Sequence, residues 1–253
     1  MLTQLTRDKL VALKLQGFID VFEELAGPGN QSDLTLNETL TLMADRETLQ
    51  RENRRTARLL KAAKLRYPQA CLQAIDYRLP RKFNQQQFKS LAQPEWIRQG
   101  KNVLLIGPTG VGKSHMACAL GVLACQNLMT TRYYIVSRLI EELRLSHADG
   151  RYSKLLEQLS KKSLLILDDW GIDQLDRQAR RDLLEVLEDR TNQTSTVITT
   201  QLPIEHWHDY IGDGTIADAI CDRVINNAYT FTIEGESMRK EKNLLTHVDQ
   251  RVS

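Results

Sequence analysis

The run Val103-Leu-Leu-Ile-Gly-Pro-Thr-Gly-Val-Gly-Lys-Ser114 constrains this chain more than any other. Four apolar residues lead into a glycine-rich loop, and an Ala/Leu-rich stretch from Met116 to Ala124 follows it. That order predicts a buried strand, a loop and a helix. The loop satisfies G-x-x-x-x-G-K-[ST] with Gly107, Gly112, Lys113 and Ser114. The glycines let the backbone curl so that successive N–H groups face phosphate oxygens. A helix opening at Lys113 adds its unsatisfied N–H groups and positive dipole end. Lys113 supplies a point charge for the β- and γ-phosphates, and the Ser114 hydroxyl suits Mg2+. The nucleotide stretch is therefore Gly107, Pro108, Thr109, Gly110, Val111, Gly112, Lys113, Ser114 and His115, with ATP and Mg2+ as the expected cofactors. An ordinary glycine turn is the alternative, and the flanks argue against it.

A chain of 253 residues has room for one α/β core and a smaller appendage. Its net charge of +2 is too balanced to name a partner, so local charge must do so. Cys71, Cys118, Cys125 and Cys221 form no C-x-x-C pair, which removes zinc and redox motifs. Cys118 and Cys125 fall on the post-loop helix as core residues. His115, His206 and His208 suggest no third ligand, so no metal but Mg2+ is expected. The N-terminal segment lacks a signal peptide's apolar stretch, and no apolar run is long enough to span a bilayer. A reducing cytoplasm and no membrane are expected.

Three regions follow: a helical N-terminal domain over 1–66, a linker over 67–100 and a nucleotide domain over 101–253. Residues 1–26 have helical apolar spacing, with a break expected at Gly17. Thr35-Leu-Asn-Glu38 has the form of a capping box that opens a long helix to about Lys64. Between Arg46 and Arg66 lie eight bases against two acids, Glu47 and Glu52. Arg51, Arg54, Arg55 and Arg58 share one helical face, and Lys61 and Lys64 extend it. A solvated face is the bland reading; the one-signed surplus favours contact with the phosphates of double-stranded DNA. Arg138, Arg144, Arg151 and Lys154 form a second candidate surface.

Strands are expected at 102–106, 131–136, 164–169, 195–200 and 229–233, alternating with helices. Helices are expected at 137–145, 153–159, 176–191, 216–226 and 238–248. That alternation means a parallel sheet flanked by helices. His206 and His208 are expected to flank Trp207 in a surface turn. Leu164-Leu-Ile-Leu-Asp-Asp169 is an apolar strand ending in two carboxylates. Sites lie at the carboxyl ends of such strands, so Asp168 can reach a cation held by Ser114. Asp169 then stands where a carboxylate orients or deprotonates a water. A helix N-cap pair is the other possibility. Thr199, Thr200 and Gln201 close the fourth strand with polar groups that could reach a γ-phosphate.

The segments GPTGVGKSH, LLILDDWG, ITTQLP, AICDRV and GESMRK, in that order, resemble the IstB/DnaC branch of the AAA+ ATPases, and the whole arrangement resembles the IstB-like transposition helpers most. The resemblance covers nearly the entire chain. It implies an α/β P-loop AAA+ fold, a small all-helical N-terminal domain and a truncated C-terminal lid. It also implies that Arg223 is an arginine finger acting in the neighbouring subunit, that Arg239 is a sensor-2 arginine acting in its own, and that Gln201 stands at sensor 1. Lys113, Asp168, Asp169, Gln201, Arg223 and Arg239 are then the catalytic set, with Ser114 and Asp168 on the metal. Two residues depart from the usual pattern: Asp169 stands where AAA+ proteins usually have Glu, and Gln201 where Asn is common. A shorter carboxylate reaches less far toward water, which implies slow hydrolysis. Only 14 residues follow Arg239, which implies that a full helical lid cannot fit.

The expected function is that of an ATP-hydrolysing, DNA-binding helper of the transposase of the same insertion sequence. It would be a homo-oligomer with ATP sites shared between subunits. A DnaC-type helicase loader is the alternative, and a nucleotide-gated DNA scaffold without turnover is a third.

Overall fold

The structure, a computed structural model, describes residues 2–27, 34–75 and 83–235. The chain divides into two compact units, residues 1–58 and 59–253. Arg239, the 238–248 helix and the lid lie outside the described residues.

In the first unit, α1 (Leu2–Ala12) and α2 (Gln16–Ala26) precede the long α3 (Leu36–Ala63). Thr35 and Glu38 cap α3 reciprocally: the Thr35 N–H donates to the Glu38 carboxylate at 2.7 Å, and the Glu38 N–H donates to Thr35 Oγ1 at 3.3 Å. The break expected at Gly17 falls instead between α1 and α2, where Lys14 adopts a φ of 58°. Gly17 lies inside α2 because α3 crosses it. A Cβ there would come within 2.4 Å of the Glu47 backbone nitrogen, and the Gly17 N–H donates to Glu47 Oε2 at 2.7 Å.

In the second unit, α3 ends at Ala63 and Lys64 turns the chain with a φ of 52°. Two short helices, α4 (Gln85–Ser90) and α5 (Glu95–Arg98), then lead to β1 (Asn102–Ile106). After it come α6 (Lys113–Gln126), β2 (Thr131–Ile135), α7 (Val136–Ala148), α8 (Tyr152–Ser160) and β3 (Leu164–Trp170). Next are α9 (Arg177–Glu188), β4 (Ser195–Thr200), α10 (Trp207–Ile211), α11 (Gly214–Ile225) and β5 (Ala228–Thr232). All strand pairs are parallel, in the order β2-β3-β4-β1-β5.

Side chains alternate across the sheet. Val103, Leu105, Ile166, Val197 and Phe231 join α6 and residues of 63–75 and 88–97 in one apolar layer. Leu104, Ile106, Leu165, Leu167 and Ile198 join α7, α8, α9, α10 and α11 in the other. Both faces are covered, which explains the unbroken apolar runs of β1 and β3. The surface turn expected at 206–208 is a short helix whose Trp207 is fully buried. The Trp207 ring lies 5.3 Å from that of Trp170. Two aromatic rings at the end of the sheet need covering, and α10 supplies the cover.

Candidate nucleotide site

The loop between β1 and α6 is built from left-handed backbone that only glycine adopts without cost. Gly107 has φ of 157° and Gly112, the residue before α6, has 98°. A Cβ on Gly107 would meet the carbonyl oxygen of Ile233 at 2.2 Å. Val111 is buried, while Pro108 and Thr109 face solvent and Gly110 is half-buried. Lys113 is 7% exposed, and its ammonium donates to the carbonyl oxygens of Gly107 at 2.8 Å and Pro108 at 2.9 Å. His115 is exposed on α6, its ring 5.8 Å from that of Tyr67.

Asp168 and Asp169 lie just before the last residue of β3, where the register with β4 slips between Leu167 and Trp170. In a regular strand adjacent side chains point to opposite faces. Here Asp169 takes a φ of 63°, and its N–H turns to the side-chain oxygen of Thr199 at 3.1 Å. The bulge gives the two carboxylates different surroundings. Asp168 is fully buried and Asp169 has 32% of its side chain exposed. Asp168 Oδ1 accepts from Ser114 Oγ at 2.8 Å and from the Thr199 hydroxyl, and Oδ2 accepts from the Tyr133 hydroxyl at 2.5 Å. Burial, and then Asp168, push the Tyr133 pKa far up, so this phenol remains a neutral donor.

Thr199, Thr200 and Gln201 separate in the structure. Thr199 serves the acidic pair, Thr200 donates to the carbonyl of Trp170 at 2.7 Å, and Gln201 is exposed beyond β4. Arg223, on α11, meets the carboxylate of Glu188 on α9 and donates to the Ala219 carbonyl at 2.8 Å. The nearby acids have other donors: Asp218 pairs with His208 at 2.8 Å, and Asp222 accepts from Asn226 at 2.5 Å.

Arg51, Arg54, Arg55, Arg58 and Lys61 on α3, and Lys64 just after it, are all exposed. Arg51 donates to Glu47 at 2.7 Å and Arg54 to Gln50 at 3.0 Å. On the second candidate surface, Arg144 is paired with Asp176 at 2.9 Å and Arg151 with Asp149 at 2.5 Å.

Two residues at the acidic pair escape a reading by motif. Tyr133 is an inner residue of β2, and Arg66 is one base in a basic run. Arg66 Nη1 stands 3.7 Å from Asp168 Oδ2 and 3.9 Å from Asp169 Oδ2. Only the parallel pairing of β2 with β3, which sets Tyr133 beside Ile166, brings its hydroxyl into reach.

Ser114 and Asp168 present two hard oxygen donors side by side, below a helix N-terminus. That donor set fits a divalent cation of the Mg2+ kind bound together with phosphate oxygens. A parallel sheet in this order, with a phosphate loop leaving β1 and a buried aspartate bonded to the loop serine, defines a P-loop nucleotide-binding protein of the AAA+ class.

The chain belongs to the family described as IstB-like ATP binding protein, whose model matches residues 8–246. It is similar to an insertion-sequence ATP-binding protein of Sinorhizobium fredii, 44% identical over 242 residues, which cover 96% of this chain and 98% of that protein. It is also similar to the ATP-binding protein of insertion sequence IS1162 of Pseudomonas fluorescens, 45% identical over 203 residues, with 80% of this chain and 88% of that protein covered. Among solved structures, DnaI matches with a TM-score of 0.55 at 21% identity, covering 70% of this chain and 93% of that one. The DnaC helicase loader matches with 0.51 at 21% identity, covering 58% and 86%. At that identity the two structures establish the fold. Among the described residues, no helix is long and apolar enough to cross a membrane.

Proposed function

We propose that this protein is an ATP-dependent, DNA-binding helper of the transposase of its own insertion sequence. It acts in the cytoplasm, assembles on double-stranded DNA with ATP, and regulates transposition through Mg2+-dependent hydrolysis. One observation carries the reading: Ser114 is bonded to buried Asp168 beside Lys113, in a chain whose relatives are insertion-sequence ATP-binding proteins.

The backbone from Gly107 to Ser114 cradles the phosphates, and Lys113 exchanges its two carbonyl partners for β- and γ-oxygens. Ser114 and Asp168 would hold Mg2+, which would supply positive charge to the phosphate oxygens. Asp169, the more accessible carboxylate, orients the attacking water and takes its proton. The water oxygen bonds to the γ-phosphorus, the bond to the ADP oxygen breaks, and phosphate is released. Gln201, at the end of β4, senses the γ-phosphate, and Arg239 contacts the nucleotide within its own subunit. Arg223 serves the site of the next subunit, so the working form is a homo-oligomer. The exposed base row on α3 contacts DNA phosphates.

The test is transposition of a marked element supplied with this protein or with its Lys113→Ala variant. The variant should give the frequency seen with no helper at all. Undiminished transposition with an ATP-binding-deficient variant rejects the reading. The likeness to the DnaC fold favours a helicase loader as the second reading. Capture of a replicative helicase, with no binding to the transposase, would establish that instead.

A further inference from the structure

Asp168 poses an electrostatic problem that its hydrogen bonds do not solve. It is fully buried, and an ionised carboxylate away from water needs a compensating charge. Its hydrogen-bond donors, Ser114, Thr199 and Tyr133, are neutral hydroxyls. They solvate the anion without cancelling its charge. Arg66 brings a cation, and one Nη1 atom lies between the two acids, at 3.7 and 3.9 Å. Both separations exceed hydrogen-bond length, so the attraction is Coulombic and releasable.

The residue is built to hold its backbone while its side chain moves. Leu65 is buried in the apolar layer. The Cys118 thiol of α6 meets the backbone of Tyr67 and Arg66; burial pushes that thiol up to about 11, Asp168 adds to the shift, and the two backbone contacts oppose it. By contrast, 39% of the Arg66 side chain is exposed. In the same position the guanidinium lies over the Tyr67 ring at 5.6 Å and hydrogen-bonds the Tyr133 hydroxyl.

We infer that Arg66 is a positioning residue, a built-in counter-ion that holds Asp168 and Asp169 until Mg2+ arrives with nucleotide and displaces it toward solvent. This rests on the reading of Asp168 as a Mg2+ ligand. A divalent ion and a guanidinium repel each other, so each weakens the other's hold on the same carboxylate pair. Mg2+ loading therefore works against Arg66.

The experiment titrates Mg2+ into the full-length protein with a fluorescent, non-hydrolysable ATP analogue. Arg66→Gln should lower the half-saturating Mg2+ concentration by about three- to tenfold, and Arg66→Lys, which keeps the charge, should stay within about twofold of the parent. In EDTA without nucleotide, Arg66→Gln should melt earlier, and adding Asp168→Asn should recover most of that loss. A merely structural role would give additive losses. An unchanged or raised half-saturation in Arg66→Gln overturns the inference. If Asp168→Asn leaves the Mg2+ dependence intact, the assignment of the Mg2+ ligand is what fails. A second measurement needs no variant: phenylglyoxal labelling of Arg66, read by mass spectrometry, should rise when Mg2+ is added to the nucleotide-bound protein. Labelling that stays level or falls also overturns the inference.

Discussion

Ser114 Oγ stands 2.8 Å from Asp168 Oδ1, so a single hydrogen bond joins the first turn of α6 to the end of β3. Two residues 54 positions apart in sequence thus meet at one point. Ser114→Ala should remove both this bond and a cation ligand. Nucleotide affinity should then lose its dependence on Mg2+, while Lys113→Ala should lose nucleotide in either condition. Titration with and without EDTA separates the two; equal Mg2+ dependence in Ser114→Ala and the parent would contradict the site.

Asp169→Asn should bind ATP as tightly as the parent and stop turning it over. Its amide leaves the bond between the backbone N–H and Thr199 in place but cannot accept a proton. Complexes on DNA should live longer in consequence. Phosphate release and dissociation rates check this, and normal turnover would assign the water to another group.

Arg223 is held in its own subunit by Glu188, so to serve a neighbour it must leave that acid. Arg223→Ala should bind ATP normally as an isolated subunit, assemble poorly and lose about 10³-fold or more of its turnover. Mixing it with Lys113→Ala should restore some activity, because each supplies what the other lacks. No rescue, together with a parent whose specific activity is independent of protein concentration, would rule out a shared site.

Replacing Arg51, Arg54, Arg55 and Arg58 with Ala should weaken DNA binding to a similar degree on every sequence. Each DNA phosphate that is no longer neutralised should flatten the log–log salt dependence by about 0.9. A slope equal to the parent's would make that face plain solvated surface.

Glu47 offers a test by pH. Burial opposes its charge, yet the Gly17 N–H and Arg51 outweigh burial, and its carboxyl titrates below the ordinary glutamate value. A carboxylate lowered in the folded state stabilises above its unfolded pKa of about 4.3, and that contribution disappears as pH falls through the folded value. Glu47→Gln should therefore melt earlier than the parent at pH 7, with a gap that closes on acidification. The Gln amide oxygen can still accept from the Gly17 N–H, so only the charge assistance and the Arg51 pair are lost, about 1 kcal/mol at neutral pH. A gap independent of pH would assign Glu47 a packing role only.

The phosphate loop was legible because its residues are contiguous and each has a local task. Strands β1 and β3 were legible because both faces of the sheet are covered, which writes them as apolar runs. Gly17 was misplaced because a glycine in a helical pattern signals either a break or a crossing, and Glu47 decides which from 30 residues away. Tyr133 and Arg66 were hidden for a related reason. One reaches Asp168 through strand pairing and the other through a turn after α3, and neither relation leaves a period in the sequence. Likewise, the Glu188 partner of Arg223 lies 35 residues off on another helix, which spacing within α11 does not reveal.

The left-handed backbone at position 169 also limits which amino acids can stand there. Asp and Asn tolerate that conformation far better than a longer side chain does. A library randomised at this codon would pass through two sieves in series, one set by the main chain and one by chemistry. Glu, the usual AAA+ residue, has the chemistry but strains the first sieve, while Asn passes the first and fails the second. Asp is the residue expected to pass both, and the φ of 63° at this position is by itself a reason for a short side chain.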